Sequence, residues 1–280
     1  FTFKSQLLQM KIFRNKNNLI KEISGLKNLG FVPTMGALHK GHISLINRAK
    51  IESKQVLVSI YVNVKQFNSK KDFKKYPRNF LKDISVLKKK KVDYVYIPND
   101  REIYSFKAKN SIHLNKFSKK LCGRFRPGHF KAVVDVVNKF LEIIKPKKIY
   151  LGMKDFQQLS LIKLHIIKKN IKVKLVACKT IREANGLALS SRNTKLKKNQ
   201  ILKAGIIYTY LKKNKKLILE KILNKNKTEI LNKLIKLGAE KVDYIECLNL
   251  KKLYFAKNSK ANFNVFVAYY MNDVRLIDNL

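Results

Sequence analysis

The chain has 280 residues, 45% of them hydrophobic, which is enough for one large or two modest domains with buried cores. No apolar stretch approaches the roughly 20 residues that a membrane-spanning helix needs, so a membrane protein of that kind is excluded. The formal charge of +44 invites a nucleic-acid reading, but Lys outnumbers Arg 53 to 9 along nearly the whole chain, whereas phosphate-reading surfaces also draw on Arg forks.

Residues 1 to 13, FTFKSQLLQMKIF, have no continuous apolar run and no small-residue cleavage site, so no signal peptide is read. Met10 stands just ahead of the first helical pattern, and residues 1 to 9 are expected to be an upstream extension with no role in the fold. Helical spacing runs through Leu19 to Leu26 and is expected to end at Gly30. FVPT (31 to 34) then reads as a short strand, MGALHKG as a loop, and HISLINRAK as a helix of period near 3.6. VLVSIYV (56 to 62) is β-branched and uninterrupted, as a strand covered on both faces would be. A charged helical stretch from about Arg78 to Lys91 leads to the apolar run VDYVYIP, stopped by Pro98. HFKAVVDVVNKFLEII then predicts a long helix, KKIYLG a short strand, FQQLSLIKLHIIKK a helix, and KVKLVAC (172 to 178) another strand.

This alternation predicts βαβ units and a parallel sheet. After about residue 180 the texture changes to lysine-rich helical sequence, NQILKAGIIYTYLKKNKKLILEKIL, followed by the strands VDYIECLNL and NVFVAYY. The expected architecture is α/β, a Rossmann-like parallel-sheet domain over 1–180, with a smaller α+β C-terminal domain over 181–280 and a boundary near Thr180. Three scattered cysteines, Cys122, Cys178 and Cys247, form no CxxC pair or disulfide ladder, so a reducing cytoplasm is the expected compartment.

The stretch PTMGALHKGH (33 to 42) lies after the first apolar strand and before its helix, where open parallel sheets bind ligands. A helix start offers unpaired N–H groups and a positive dipole end, which favour phosphate. Gly41 lets a ligand approach the backbone closely. His39 and His42 can face one side and donate to phosphate oxygens, stabilising charge that builds on phosphorus. Two surface histidines beside a cap are the plainer alternative. A zinc pair is another, but no third ligand lies nearby in sequence.

HxGH after a first strand resembles the signature of the nucleotidylyltransferase superfamily, and the longer string PTMGALHKGH is similar to the pantoate–β-alanine ligase family. Four further blocks follow in order. SIYVNVKQFN (59 to 68) carries Asn63 and Gln66, with Val64 where the family has proline. RPGHF (126 to 130) carries Arg126 and His129. GMKDFQQL (152 to 159) has Met153 in place of a usual glutamate. REANGLALSSRN (182 to 193) has Asn185 in place of an aspartate, and NDVRLIDN (272 to 279) is similar to the family's ending.

The resemblance implies an ATP-dependent ligase that condenses pantoate with β-alanine through pantoyl adenylate, releasing AMP and pyrophosphate. It implies His42 as the catalytic residue. Nucleotide contacts are implied for Met35, Gly36, Ala37, Leu38, His39, Lys40, Gly41 and His42. Further contacts are implied for Gly152, Met153, Lys154 and Asp155, and for Ile181, Leu189, Ser190, Ser191 and Arg192. Gln66 and Gln158 are implied to hold pantoate. Mg²⁺ is expected with ATP, carried mostly by phosphates and water, with Asp83 as an outer candidate and no protein metal cage. A homodimer in the cytoplasm, without a specific nucleic-acid or membrane partner, completes the expectation. The rivals are a related adenylate-forming enzyme with another acid, a basic nucleic-acid-binding protein, and an inactive relative carrying the Val64, Met153 and Asn185 departures.

Overall fold

The computed structural model describes residues 9–250, 254–255 and 263–280; the expectation for residues 1 to 9 therefore falls almost wholly outside the described residues. The chain forms two compact units. The first comprises the described residues through His113 together with Lys131–Leu151 and Ile162–Cys178. The second comprises Leu114–Phe130, Gly152–Leu161 and the described residues of Lys179–Leu280. Two segments of the second unit thus come from chain N-terminal to Thr180.

The first unit is built on six strands: β1 (Lys11–Phe13), β2 (Leu29–Thr34), β3 (Gln55–Ile60), β4 (Tyr94–Tyr96), β5 (Lys148–Gly152) and β6 (Lys174–Cys178), in the order β1-β4-β3-β2-β5-β6. The paired registers at β1/β4, β4/β3, β3/β2 and β2/β5 are parallel. β3 is almost completely buried because helices cover both faces. On one face Leu45, Ile46 and Ala49 of the helix Lys40–Glu52 and Leu87 of the helix Phe80–Lys89 pack on Val32, Val56 and Val58. Elsewhere in the unit, Phe140 of the helix His129–Ile144 sits against the rings of Phe31, Tyr61 and Tyr96.

Strand order reverses between β2 and β5, the switch point where such sheets open to ligands. The β2/β5 ladder covers only Gly30 and Phe31. Pro33, which has no N–H to give, lies beyond it.

The structure departs from the sequence expectation at two places near the N-terminus. The first element is the edge strand β1, too short to show a period, rather than a helix. The helix that follows, Lys16–Ile23, ends well before Gly30, which lies inside β2. A Cβ on Gly30 would come within 2.6 Å of Ser53 Oγ, so glycine is there for close packing.

In the second unit, β7 (Lys241–Asn249), β8 (Tyr254–Phe255), β9 (Asn264–Met271) and β10 (Val274–Asn279) form an antiparallel sheet in the order β10-β9-β7-β8. Alternate residues Val265, Val267, Tyr269 and Met271 turn one face of β9 inward, as period 2 requires. Ala204, Ile207 and Leu211, at helical spacing, meet that face, with Ile218, Leu219, Ile230 and Leu234. The lysine-rich stretch is two helices, Lys198–Lys213 and Lys215–Leu223. Asn214 divides them, its amide donating to Tyr210 O at 2.8 Å.

Candidate active site

In the first unit the chain leaves β2 at Thr34, whose hydroxyl donates to Ser59 O at 2.7 Å and accepts from Gly36 N–H at 3.2 Å. Gly36 and Ala37 then take left-handed backbone, with φ +75° and +50°. A Cβ on Gly36 would meet Asp83 Oδ2 at 2.9 Å, so this position requires glycine twice over. Asp83, buried on the helix Phe80–Lys89, accepts from Ala37 N–H and Leu38 N–H, each at 2.8 Å. The sequence suggested Asp83 only as an outer group for Mg²⁺; both of its oxygens hold the loop that carries the histidines.

His39 is the N-cap of the helix Lys40–Glu52. Its Nδ1 accepts from Gly41 N–H at 3.1 Å, and His42 Nδ1 accepts from His39 N–H at 3.4 Å. The rings stack at a centroid distance of 4.1 Å. An Nδ1 that accepts carries no proton, so each neutral ring keeps its proton on Nε2. The turn therefore fixes the same tautomer for both imidazoles. Of the other expected residues, Met35 Sδ receives Gln66 Nε2 at 3.1 Å, and Gly41 opens the helix beside an exposed Lys40. Gln66 ends a 3-10 turn, Val64–Gln66, capped by Asn63, whose side-chain oxygen accepts from Lys65 N–H and from the Tyr104 hydroxyl. Val64 occupies the first position of that turn, where proline would only have preset φ, and the Asn63 cap is intact.

In the second unit, Gly152 ends β5, and Met153, Lys154 and Asp155 form a 3-10 turn leading into the helix Phe156–Lys168. Lys154 Nζ pairs with Asp155 at 3.2 Å. Burial pushes the Asp155 carboxyl up, but Lys154, His129 and Arg192 outweigh it and leave the group below its ordinary value. It is thus a carboxylate inside a cationic cluster. Arg126 Nη1 donates to His129 Nε2 at 3.0 Å. Lys154, Asp155, Gln158, Arg126 and His129 line one small cavity of about 30 Å³. Gln157 is structural, its amide donating to Phe117 O and Lys120 O.

The segment Ile181–Leu189 is a tight hairpin. Leu189 N–H donates to Ile181 O at 3.0 Å, and the chain turns at Gly186, φ +90°. Ser190 caps the next 3-10 turn by accepting from Arg192 N–H at 3.2 Å, and Ser191 is buried at its first position. Asn185 donates to Ile201 O at 2.8 Å and accepts from Leu187 N–H at 3.1 Å. Only an amide can make both bonds, so the departure from aspartate is built into this fold.

The expected nucleotide residues therefore fall into two sets: Met35–His42 in the first unit, and Gly152–Asp155, Ile181 and Leu189–Arg192 in the second. Gln66 goes with the first and Gln158 with the second. The residues that sequence reasoning missed are those that position them. Beside Asp83 these are Asp278 and Asn279 of β10. The Arg182 guanidinium donates to Asp278 at 2.6 and 2.9 Å, and Asn279 Nδ2 donates to Met153 O and Lys154 O. The quoted NDVRLIDN block was the one available signal.

The family profile described as pantoate-beta-alanine ligase matches residues 9–280. This chain belongs to the pantoate–β-alanine ligase family. Among relatives in the family, a pantothenate synthetase of Clostridium botulinum (strain ATCC 19397 / Type A) is 41% identical over 254 residues, 90% of each chain. A pantothenate synthetase of Pseudothermotoga lettingae is 37% identical over 275 residues, 98% of each. The crystal structure of the pantoate–β-alanine ligase of Francisella tularensis, complexed with β-γ ATP and β-alanine, aligns with a TM-score of 0.81 at 38% identity. It covers 97% of both chains. A crystal structure of the pantothenate synthetase of Thermus thermophilus aligns at 0.85 and 31% identity, over 97% of this chain and 99% of its own.

Proposed function

We propose that this member of the ligase family condenses pantoate with β-alanine at the expense of ATP. A pantoate carboxylate oxygen attacks the α-phosphorus, the bond to the bridging oxygen breaks, and pyrophosphate leaves. The β-alanine amine then attacks the acyl carbon of pantoyl adenylate, and AMP departs with the carboxylate oxygen as the amine gives up a proton. The observation that carries this reading is the histidine turn, in which both Nδ1 atoms accept backbone N–H groups and the two rings stack at a helix start. His42 is the catalytic residue, donating to the charge that develops on the α-phosphate, and His39 supports it.

Lys154, Ser190, Ser191 and Arg192 contact phosphates, Lys154 as a point charge and Arg192 as a fork. Gln66 and Gln158 bind pantoate, their amides matching its hydroxyl and carboxylate. No residue of the turn is a good covalent nucleophile, since the Nδ1 lone pairs of both histidines accept backbone N–H groups, so catalysis rests on positioning and charge stabilisation. Mg²⁺ would come with the nucleotide, held mostly by its phosphates and by water, and would supply charge neutralisation there.

The protein works in the cytoplasm as a homodimer. All three cysteines are free and buried, which suits a reducing compartment, and no helix among the described residues is long and apolar enough to cross a membrane. Exposed Ile51 and Leu81 in the first unit and Leu202 in the second are apolar surface that a second copy would cover; sedimentation at micromolar concentration tests the dimer.

The function is tested by incubating the protein with ATP, Mg²⁺, pantoate and β-alanine and identifying products by mass. Pantothenate and AMP in equal amounts, each requiring both acids, are expected. A folded protein that binds ATP but makes no pantothenate would overturn the substrate assignment.

A further inference from the structure

The C-terminal strand makes contacts that the proposed chemistry does not by itself call for. Asp278 and Asn279 close β10 and are 9% and 7% exposed. Asn279 Nδ2 donates to Met153 O and to Lys154 O, both at 2.9 Å. One amide nitrogen has two hydrogens, so it serves both carbonyls. These carbonyls belong to the two peptide planes that flank the Lys154 Cα. Holding both planes sets φ and ψ of Lys154, and with them the direction in which its side chain leaves the backbone.

Asn279 is itself anchored. Its N–H donates to Asp278 Oδ1 at 2.7 Å, and its carbonyl accepts from Arg182 Nη2 at 3.3 Å. The same guanidinium makes its two-pronged pair with Asp278, donates to Gly186 O at 3.0 Å, and lies 4.5 Å from the centre of the Tyr208 ring. One corner of β10 thus ties together the Met153–Asp155 turn and the hairpin that leads to Ser190, Ser191 and Arg192.

We propose that Asn279 is a positioning residue for Lys154: its two bonds aim the lysine at the nucleotide phosphates. The inference rests on the reading that Lys154 contacts those phosphates. The natural occupant of the two carbonyls is an amide; a carboxylate in its place would offer them no hydrogen.

The test is a double-mutant cycle on the full chain with Lys154→Met, Asn279→Ala and the double variant. It records kcat, KM for ATP, KM for pantoate and melting temperature. Each single change is expected to raise KM for ATP about tenfold, a misaiming effect, with KM for pantoate within about twofold. The double variant is expected to match Lys154→Met alone within about twofold, because a residue that acts through Lys154 has nothing left to position. A purely structural Asn279 would lower the melting temperature and leave KM for ATP unchanged, or its effect would multiply with that of Lys154→Met; either result overturns the proposal. If Asn279→Ala does not fold, Asn279→Ser, too short to reach both carbonyls, runs the same cycle. An unchanged KM for ATP in Lys154→Met would sink the phosphate role of Lys154 and the proposal together. A normal Asn279→Ala beside a defective Lys154→Met sinks the positioning role alone.

Discussion

Replacing Asp83 with Asn tests how the histidine turn is held. The carboxylate takes two backbone N–H groups at 2.8 Å, and the side chain is 2% exposed. Hydrogen bonds to a charged group contribute roughly 1.5–3 kcal/mol each, and a buried donor left unpaired costs roughly 1–3 kcal/mol. Asparagine keeps one acceptor but sets an NH₂ against the other N–H, so one bond is lost and one weakened. Ala37, at φ +50°, then also loses the contact that offsets its left-handed backbone, worth roughly 1–2 kcal/mol.

Because these terms overlap, the net expectation is about 3 kcal/mol. At about 2–4 °C per kcal/mol for a domain of this size, the melting temperature falls by about 6–12 °C. Pantoate-dependent pyrophosphate release falls at least about tenfold, because the loop feeds directly into His39 and His42. Adding Ala37→Gly, which tolerates the left-handed backbone, returns about 1 kcal/mol. A melting temperature within about 1 °C of wild type would refute the reasoning.

His42→Gln is expected to slow adenylation by about 10²–10³-fold, as loss of one preorganised donor does, with melting temperature nearly unchanged; single-turnover quench measurements decide it. Asn185→Asp, a change toward the family pattern, places a carboxylate against Ile201 O and is expected to cost about 1–2 kcal/mol in urea unfolding. Asp278→Asn breaks the fork to Arg182 and is expected to cost about 3 kcal/mol by the same assay.

Burial pushes the Cys247 thiol up from 9.0 to about 12. Its folded value lies above its unfolded one, so its contribution to stability is present below about pH 9 and is lost as pH rises toward 12. Cys247→Ser is expected to flatten stability over that window. A native protein at neutral pH is expected to resist iodoacetamide at this position, as read by mass spectrometry.

What the sequence made legible follows the range of the interactions concerned. β3 and the helix His129–Ile144 announce themselves because burial on both faces of a strand, or around most of a helix, leaves a dense local run of apolar residues. The parallel sheet followed from the alternation of such patterns. β1 is three residues long and its role depends on pairing with β4, far along the chain, so no local pattern reveals it. The break at Asn214 turns on one amide bonding back to Tyr210 within an otherwise continuous helical composition.

The site divides the same way. His39, Gly41 and His42 are neighbours on one turn, and their spacing carries the geometry. Asp83 reaches a loop 45 residues earlier, and Asn279 a turn 125 residues earlier. Their roles exist only once the sheets bring them there. Val64, Met153 and Asn185 looked alike as departures from a pattern, yet their places differ. Val64 leaves a capped turn intact, Met153 presents its backbone carbonyl to Asn279, and Asn185 uses an amide that aspartate lacks.

The central claim is that a pantoate carboxylate oxygen attacks the α-phosphorus of ATP, and isotope transfer tests it most directly. Pantoate labelled with ¹⁸O in both carboxylate oxygens is turned over with ATP, Mg²⁺ and β-alanine, and the phosphate products are weighed by mass spectrometry. One ¹⁸O in AMP and none in pyrophosphate is the predicted result. Label in orthophosphate, with ADP as the nucleotide product, would place the attack at the terminal phosphate and contradict the account.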